Sequence, residues 1–283
     1  MSMLNDYRID SYGNYILIAK NNSKNYGKTT LYKFIDDEIN NRIGGGISMP
    51  NATNIILIYG VSGSGKSTVA LNIIASAIRI HKKNALLLLE DDPGIATYKL
   101  MKMVGEQTLQ QARDYSSIFG PDQVKTSYSK KDALELIEKL FKDGYDLVVI
   151  DHLQFLFEAT SEPKDEYQAQ RVFIRELNRI SKIYQKTIVL VSHVNKTAQS
   201  MGYSLDSTTG SNSVGQVATK ALAIYRNEDK QLCMRLEKSR YTKNYWDDIP
   251  IEFDENFNLV YDRNIDNKKL KETLDNGFEM ENY

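Results

Sequence analysis

One segment constrains the fold of this chain more than any other: a strand, a glycine-rich loop and a helix follow one another from Asn54 to Ile80. The loop reads Gly-Val-Ser-Gly-Ser-Gly-Lys-Ser from Gly60 to Ser67 and matches the complete P-loop pattern in its strand–helix context. Backbone N–H groups of such a loop surround phosphates, and the following helix N-terminus adds a positive dipole end. The pattern predicts that Lys66 reaches the β- and γ-phosphates of a nucleotide and that Ser67 binds Mg²⁺. The other predicted nucleotide contacts are Gly60, Ser62, Gly63, Gly65 and Thr68.

Apolar strands and amphipathic helices alternate along the rest of the chain. Each strand is apolar throughout, as expected for a parallel sheet covered by helices on both faces. These strands are predicted at Asn54–Tyr59, Asn84–Glu90, Asp146–Asp151 and Thr187–Ser192, with weaker candidates at Tyr15–Ala19 and Val124–Tyr128. The helices are predicted at Thr30–Asn41, Lys66–Ile80, Ile95–Val104, Glu106–Phe119, Lys130–Asp143 and Asp165–Tyr184. Short strands follow Ala218 and predict an antiparallel extension of this α/β fold, at Lys220–Tyr225, Leu232–Lys238, Ile249–Phe253 and Leu259–Tyr261.

The composition is that of an ordinary globular protein, with 41% hydrophobic and 26% charged residues. The single cysteine, Cys233, excludes a disulfide framework, and with only three histidines a zinc ribbon is not expected. The sequence contains no apolar run near the ~20 residues that span a bilayer. We therefore expect no membrane partner and a cytoplasmic location, which is the host cytoplasm for a phage-encoded chain. The net charge of −1 argues against a simple DNA clamp but allows a local basic strip.

Three side chains are predicted to join the phosphate loop, because the carboxyl ends of parallel strands meet at one edge of a sheet. Asp151 ends an apolar strand, as a Walker B carboxylate does, and is expected to hold Mg²⁺. Glu90 ends another strand, where a base could orient the attacking water; a role in capping the next helix is an equally good interpretation. His193 follows a third strand and is either a sensor of the γ-phosphate or a partly buried strand-end histidine.

Together these segments resemble the RecA-like motor domain of hexameric replicative helicases: the DnaB type, mitochondrial Twinkle and the phage primase–helicases. The resemblance covers roughly residues 40–245 and is carried by Gly60–Thr68, Leu86–Glu90, Val148–Phe155, Val191–His193, Thr209–Ser211, Gln216, Tyr225–Asn227 and Lys238–Arg240. The segment Ile43–Ile47 is also similar to RecA, RadA and circadian-clock ATPases. The chain departs from the helicase pattern in two ways: no primase half is expected, and Lys220 stands where an acidic residue is common.

The resemblance implies ATP as the nucleotide and gives roles to individual residues. Glu90 corresponds to the catalytic base and His193 to the γ-phosphate sensor. Gln216 corresponds to the polar residue that links the nucleotide state to DNA loops. Arg240 corresponds to an arginine finger that enters the neighbouring subunit's site, with Lys238 close to the same phosphates. Such an arginine stabilises charge on the transferring phosphoryl group and makes hydrolysis depend on assembly.

Two regions are candidates for contact with single-stranded DNA: Glu158–Arg171 and the Gly-, Ser- and Thr-rich stretch Asn195–Gly215. Loops of this kind suit contacts that follow a phosphate backbone, and the expected basic contacts are Arg171 and Lys196. The stretch Asn195–Gly215 shows no periodicity, and disorder is the competing interpretation for it.

The sequence thus predicts an ATP-hydrolysing, ring-forming helicase or translocase on single-stranded DNA, a homo-oligomer and, by resemblance, a hexamer. A filament-forming recombinase or mediator similar to RecA and RadA, and an ATP-gated regulatory scaffold, remain open. The predicted organisation is an N-terminal arm with a short linker helix over residues 1–45, a motor domain over 46–262 and a charged tail over 263–283. The acidic end of the tail, residues 272–283, is expected either to bind a replication polymerase or primase or to be a solvated end.

Overall fold

A computed structural model describes residues 29–89, 91–120, 130–153, 163–193, 212–242 and 247–264 of the protein. Its strands are β1 (Asn54–Gly60), β2 (Asn84–Leu88), β3 (Ser116–Phe119), β4 (Leu147–Asp151), β5 (Thr187–His193), β6 (Lys220–Arg226), β7 (Leu232–Ser239), β8 (Asp248–Phe253) and β9 (Leu259–Tyr261). Its helices are α1 (Asp37–Arg42), α2 (Lys66–Arg79), α3 (Pro93–Val104), α4 (Glu106–Gln111), α5 (Lys130–Lys142), α6 (Pro163–Tyr184) and α7 (Asn212–Val217), with a 3₁₀ turn at Ala112–Asp114.

The strands form one sheet in the order β3-β2-β4-β5-β1-β6-β7-β8-β9. The six strands from β3 to β6 are parallel, and the pairs from β6 onward are antiparallel. This topology confirms the predicted α/β fold with its antiparallel extension. We call the edge where the parallel strands end, at Gly60, Asp151 and His193, the carboxyl edge. The opposite edge, where the strands begin at Asn54 and Thr187, is the amino edge.

Alternate residues of the central strands pack into two separate cores, one on each face of the sheet. In β1, Ile56 and Ile58 pack in one core with residues of α2 and α3, whereas Ile55 and Leu57 pack in the other with residues of α5 and α6. All four side chains are essentially buried. Burial on both faces explains why these strands are apolar throughout, and it confirms the predicted helical layers.

The first helix is shorter than its apolar spacing predicts. The sequence favours a helix over Thr30–Asn41, but the helix begins only at Asp37. Asp36 has extended backbone angles and caps the helix, because its carboxylate accepts a hydrogen bond from the N–H of Glu38. Ile35, which the longer helix would place on its apolar face, is 55% exposed.

The residues before this helix are extended and pack against the sheet domain. Leu31 forms an antiparallel bridge with Ser48. Tyr32 and Phe34 are buried in the same core as α2 and the central strands, and so is Ile39 of α1. Residues 31–39 therefore belong to the core that the sheet builds.

The helix predicted at Glu106–Phe119 is wrong in its second half. It ends at Gln111, and after the 3₁₀ turn the chain forms β3 beside β2. The backbone N–H of Asn84 donates to the carbonyl of Tyr115 at 2.8 Å, and the Ser116 hydroxyl donates to the Asn84 side chain at 2.8 Å. Pairing with β2 thus overrides a helical spacing that continues through these residues.

The stretch Asn195–Gly215 is predicted without regular structure, which is wrong at its end. Residues from Asn212 onward form α7, a six-residue helix that buries Val214 and is too short to show periodicity in the sequence. The rest of the stretch lies outside the described residues, as do the candidate strands Tyr15–Ala19 and Val124–Tyr128 and the tail from residue 265.

Candidate nucleotide-binding site

The phosphate loop joins β1 to α2 at the carboxyl edge. Gly65 is the N-cap of α2 and has a φ of 90°, a left-handed conformation that favours glycine. A Cβ at Gly65 would also lie 2.7 Å from the Phe253 ring. The loop therefore forms, at the start of a helix, a cradle that a larger residue than glycine would fill.

Lys66 is the buried cation of this loop, with 4% of the residue exposed. Its Nζ donates a hydrogen bond to the carbonyl of Val61 at 2.7 Å, so the amine folds back over the loop. A cavity of about 350 Å³ opens beside it at the carboxyl edge. The residues that line this cavity are Ser62, Gly63, Gly65, Lys66, Ser67, Thr68, Asp91, Lys99, His152 and His193.

Asp151 ends β4 and is 4% exposed. Its backbone carbonyl accepts a hydrogen bond of 2.6 Å from the N–H of Leu89, which holds the chain leaving β2 against the end of β4. Two carboxylates follow on the β2 side: Asp91 lines the cavity, and Asp92 caps α3 by accepting two backbone hydrogen bonds. Glu90 lies outside the described residues, and its role as the base stays a prediction.

Two histidines meet beside Lys66. His152 follows Asp151, and His193 ends β5 in register with Gly60. The ring centroids are 3.8 Å apart with the planes at 66°. Burial, together with His193 and Lys66, lowers the pKa of His152 to about 3, and burial and Lys66 also lower the pKa of His193. Both rings are therefore neutral at pH 7, and each presents one donor and one acceptor.

Lys99 of α3 brings a second cation to the cavity. Its Nζ donates to the Thr68 hydroxyl at 3.3 Å and lies 5.8 Å from the centroid of the Phe257 ring. The sequence predicts no role for Lys99 or His152. His152 could have been found from its place directly after the Walker B carboxylate, whereas Lys99 looks like any lysine of an amphipathic helix.

The end of β7 lies at the amino edge, away from the phosphate loop of the same chain. Ser239 pairs with Lys220, and Lys220 pairs with Ile56 near the start of β1. Ile56 precedes Gly60 by four residues, roughly 13 Å along a strand. Arg240, which follows β7, is therefore separated from the loop of its own chain by most of the length of the sheet.

Three residues with predicted roles in the site come together at this edge. The Nζ of Lys238 donates to the carbonyls of Gly215 and Gln216 at 2.6 and 3.1 Å, and Nη2 of Arg240 donates to the Gln216 carbonyl at 2.6 Å. Cations at the C-terminus of α7 suit its unpaired carbonyls and its dipole. Burial and the neighbouring Arg240 lower the pKa of Lys238. The structure thus unites Gln216, Lys238 and Arg240, but not with Lys66.

The two predicted DNA contacts differ in what the structure says of them. Arg171 is exposed on α6, and Val172 beside it is 59% exposed. Phe173 and Ile174 of the same helix are buried against the sheet, so Arg171 lies on the solvent side. Lys196 lies outside the described residues.

The donors at the carboxyl edge fit a nucleoside triphosphate with Mg²⁺. Ser67 and Asp151 offer the hydroxyl and carboxylate oxygens that Mg²⁺ prefers. Lys66 and Lys99 supply positive charge, and the first turn of α2 supplies backbone N–H groups. The glycine cradle at Gly65 leaves room for phosphates against the backbone, as the close approach of the Phe253 ring shows.

Comparison with known proteins places this arrangement in a class. The solved structure of a helicase ATPase domain superposes with a TM-score of 0.71 at 16% identity, covering 91% of this chain and all of that domain. The KaiC-like protein PH0186 of Pyrococcus horikoshii OT3 superposes with a TM-score of 0.64 at 13% identity, covering 84% of this chain and 99% of that protein. At these identities the likeness concerns the fold alone.

Sequence relatives point the same way. The RecA protein of Campylobacter hominis is 27% identical over 73% of this chain, and the RecA protein of Nautilia profundicola is 27% identical over 81%. The chain spans only 62% and 68% of the lengths of these two relatives.

The sheet order, the phosphate loop and these likenesses define a RecA-like P-loop ATPase. The sequence profile of the family described as AAA domain matches residues 38–199, more than half of the chain, and the chain belongs to that family. Among the helices of the described residues, none is long and apolar enough to cross a membrane.

Proposed function

We propose that the protein is an ATP-driven motor that assembles into rings, hydrolyses ATP at subunit interfaces and moves along single-stranded DNA. The observation that carries the proposal is the separation of Lys66 from Arg240, which lie toward opposite edges of one sheet. An arginine this far from its own phosphate loop can complete a site only when a second subunit presents it. Hydrolysis would then depend on assembly.

The carboxyl edge supplies the binding half of the proposed site. Lys66 exchanges its bond to Val61 for the β- and γ-phosphates, and the N–H groups at the start of α2 hold the phosphate oxygens. Ser67 and Asp151 would hold Mg²⁺, which offsets phosphate charge when it is bound. Neutral His193 donates a hydrogen bond to the γ-phosphate, and this contact distinguishes ATP from ADP.

The catalytic half requires a base and an added cation. Glu90 accepts a proton from the attacking water as that water approaches the γ-phosphate. Arg240 of a neighbouring subunit, with its Lys238, stabilises the charge that develops on the transferring group. Both cations are bound to neutral carbonyls of α7 in the isolated chain, and anionic phosphate oxygens are the stronger acceptors.

Single-stranded DNA is the proposed track, and the resemblance to hexameric replicative helicases supports it. Exposed Arg171 on α6 and Lys196 are the proposed contacts to its phosphates, and Gln216 links them to the nucleotide state. The acidic tail beyond residue 271 is proposed as a docking arm for a replication polymerase or primase. Its deletion is expected to spare hydrolysis and to weaken that interaction in a salt-sensitive way.

A filament-forming recombinase is the second candidate, because the RecA proteins of Campylobacter and Nautilia match most of this chain at 27% identity. It would use the same interface chemistry in an open helical assembly. A third candidate is an ATP-gated scaffold that binds a partner without moving along DNA.

One experiment separates these candidates: ATPase activity measured with and without single-stranded DNA, with the oligomer mass determined in parallel. DNA-stimulated turnover by closed rings in negative-stain images supports the motor, and strand separation then tests helicase activity. Stimulated turnover by open filaments supports the recombinase. Turnover that ignores DNA supports the scaffold and contradicts the motor.

A further inference from the structure

A lysine is fully buried at the amino edge, where the proposed mechanism has no use for a cation. Lys220, at the start of β6, is 1% exposed. Its Nζ donates to the carbonyl of Gly46 at 2.5 Å, to the carbonyl of Ile43 at 2.7 Å and to the hydroxyl of Thr29 at 2.8 Å. An ammonium has three protons, and these three acceptors match them in number.

The acceptors all belong to the segment that precedes β1. Thr29 ties that segment together, because its hydroxyl also contacts the carbonyls of Gly44 and Gly46 at 3.1 and 2.5 Å and its backbone N–H donates to Gly44 at 3.0 Å. We call Lys220, Thr29, Ile43 and Gly46 the Lys220 hub. The hub fastens residues 29–46 to β6.

The turn that carries Arg240 is built on the same hub. Ser239 pairs directly with Lys220, and the backbone N–H of Arg240 donates to the carbonyl of Thr219 at 2.8 Å. The hydroxyls of Ser239 and Thr242 bond each other at 2.6 Å, and the Tyr241 hydroxyl donates to the carbonyl of Thr53 at 2.5 Å. We call Ser239–Thr242 the Arg240 turn.

Gly44 connects the hub to this turn by direct packing. It has a φ of 87°, and a Cβ added there would lie 2.6 Å from the side chain of Thr242. The segment that Lys220 holds therefore forms one wall of the Arg240 turn. A shift of that segment changes the support under Arg240.

We propose that Lys220 is a positioning residue: through the hub it holds residues 29–46 and the Arg240 turn in one arrangement, which aims Arg240 at the neighbouring subunit's nucleotide. This inference rests on the proposed action of Arg240 between subunits. Stability alone does not explain the choice of residue, because apolar side chains of similar volume often stabilise a buried site as well as an ion does.

Two variants weaken the hub, and a third is their control. Lys220→Met keeps the volume and removes three donors, and Thr29→Val removes one hydroxyl at nearly constant shape. Asn40→Ala is the matched control: the Asn40 side chain bonds the N–H and carbonyl of Phe34 at 2.9 and 2.8 Å, in the same segment but outside the hub. All three lose buried hydrogen bonds, and only the first two release the support of Arg240.

The readouts are nucleotide affinity, oligomer mass and turnover per folded subunit. We expect Lys220→Met to bind nucleotide like the parent and to lose turnover by about 10- to 100-fold, as small misplacements of catalytic groups do. Thr29→Val should lose less, in the same direction. Asn40→Ala should melt earlier and keep its turnover.

Mixed assemblies supply the decisive comparison. Lys220→Met subunits keep their own phosphate loop and base, so Glu90→Gln subunits with an intact Arg240 turn should restore turnover at shared interfaces. Arg240→Ala subunits mixed in the same way test the proposed function itself. Rescue of Arg240→Ala without rescue of Lys220→Met and Thr29→Val overturns the positioning role. Absence of rescue for Arg240→Ala in proven mixed assemblies overturns the interface mechanism and this inference with it.

Discussion

The two edges of the sheet hold their polar side chains in different ways. At the carboxyl edge the functional residues follow strand ends and form short contiguous motifs, such as Gly60–Ser67 and Asp151-His152. At the amino edge, residues 29–46, 216–220 and 238–242 meet from three distant parts of the chain. A phosphate loop is local because one turn of backbone surrounds the ligand, whereas the amino edge exists only once the sheet has formed.

The buried lysine of each edge expresses the same difference. Lys66 and Lys220 are 4% and 1% exposed, but Lys66 opens onto a cavity while Lys220 faces three protein acceptors. The amine of Lys66 can therefore exchange a protein carbonyl for a ligand. The amine of Lys220 has its bonding capacity filled by the chain itself, which suits a positioning role.

The largest effect is expected at the carboxyl edge, from Lys66→Ala. Loss of the ammonium removes the contact to the β- and γ-phosphates, so hydrolysis should be abolished and nucleotide binding weakened. Turnover and nucleotide affinity measure both effects. Lys142→Ala, which changes an exposed lysine of α5, is the control and should behave like the parent. Parent-like turnover in Lys66→Ala would remove Lys66 from the site.

Arg240→Ala tests the amino edge in the same terms. Nucleotide binding per subunit should be unchanged, because Arg240 is far from its own phosphate loop, and turnover should fall by about 10³-fold, as it does for arginine fingers. The control is Arg226→Ala, an exposed arginine at the other end of β6. A loss of nucleotide affinity equal to the loss of turnover would contradict action between subunits.

Glu90→Gln should lower turnover by roughly 10²-fold while ATP still binds, since a glutamine cannot take the proton from water. Asp91→Asn is the comparison, because Asp91 lines the cavity from the adjacent position. If Glu90→Gln retains hydrolysis and Asp91→Asn loses it, the water is positioned by Asp91. If Glu90→Gln changes only the melting temperature, the helix-capping interpretation holds instead.

These residues show how far the sequence alone can reach. The phosphate loop and the strand pattern could be predicted, because glycine spacing and continuous apolar runs are local signals. The start of α1 could not, because the Asp36 cap and the bridge between Leu31 and Ser48 override the apolar spacing. Lys99 and the Lys220 hub could not either, since tertiary packing brings their partners from 31 to 191 residues away.

Lys99→Met sharpens the carboxyl edge at a position that carries no motif. The Lys99 amine donates to Thr68, in the first turn of α2, so its charge lies close to where the loop would hold phosphates. Its loss should weaken ATP and ADP binding to a similar extent, by about tenfold, a typical value for one charge-assisted hydrogen bond. Lys102→Met, one turn further along α3 and exposed, is the control. Equal affinities for both variants would exclude Lys99 from nucleotide binding.

The smallest effect concerns the pH dependence of stability at the amino edge. Burial lowers the pKa of Lys220 to about 7, against an ordinary value of 10.5. Between these values the unfolded chain binds a proton that the folded chain does not, so the free energy of unfolding should rise with pH. The destabilising contribution is present in full below pH 7 and is relieved toward pH 10.5. Its slope is at most about 1.4 kcal/mol per pH unit.

Urea denaturation of the parent and of Lys220→Met from pH 7 to pH 10, without nucleotide, measures this slope. The parent should gain stability relative to Lys220→Met as the pH rises, because methionine has no proton to lose. Lys142→Met, with its amine exposed in the parent, should follow the parent curve. The groups that face the Lys220 amine are two carbonyls and a hydroxyl, none of which titrates in this range. Parallel curves for the parent and Lys220→Met would mean that Lys220 keeps its proton to pH 10, held by its three acceptors.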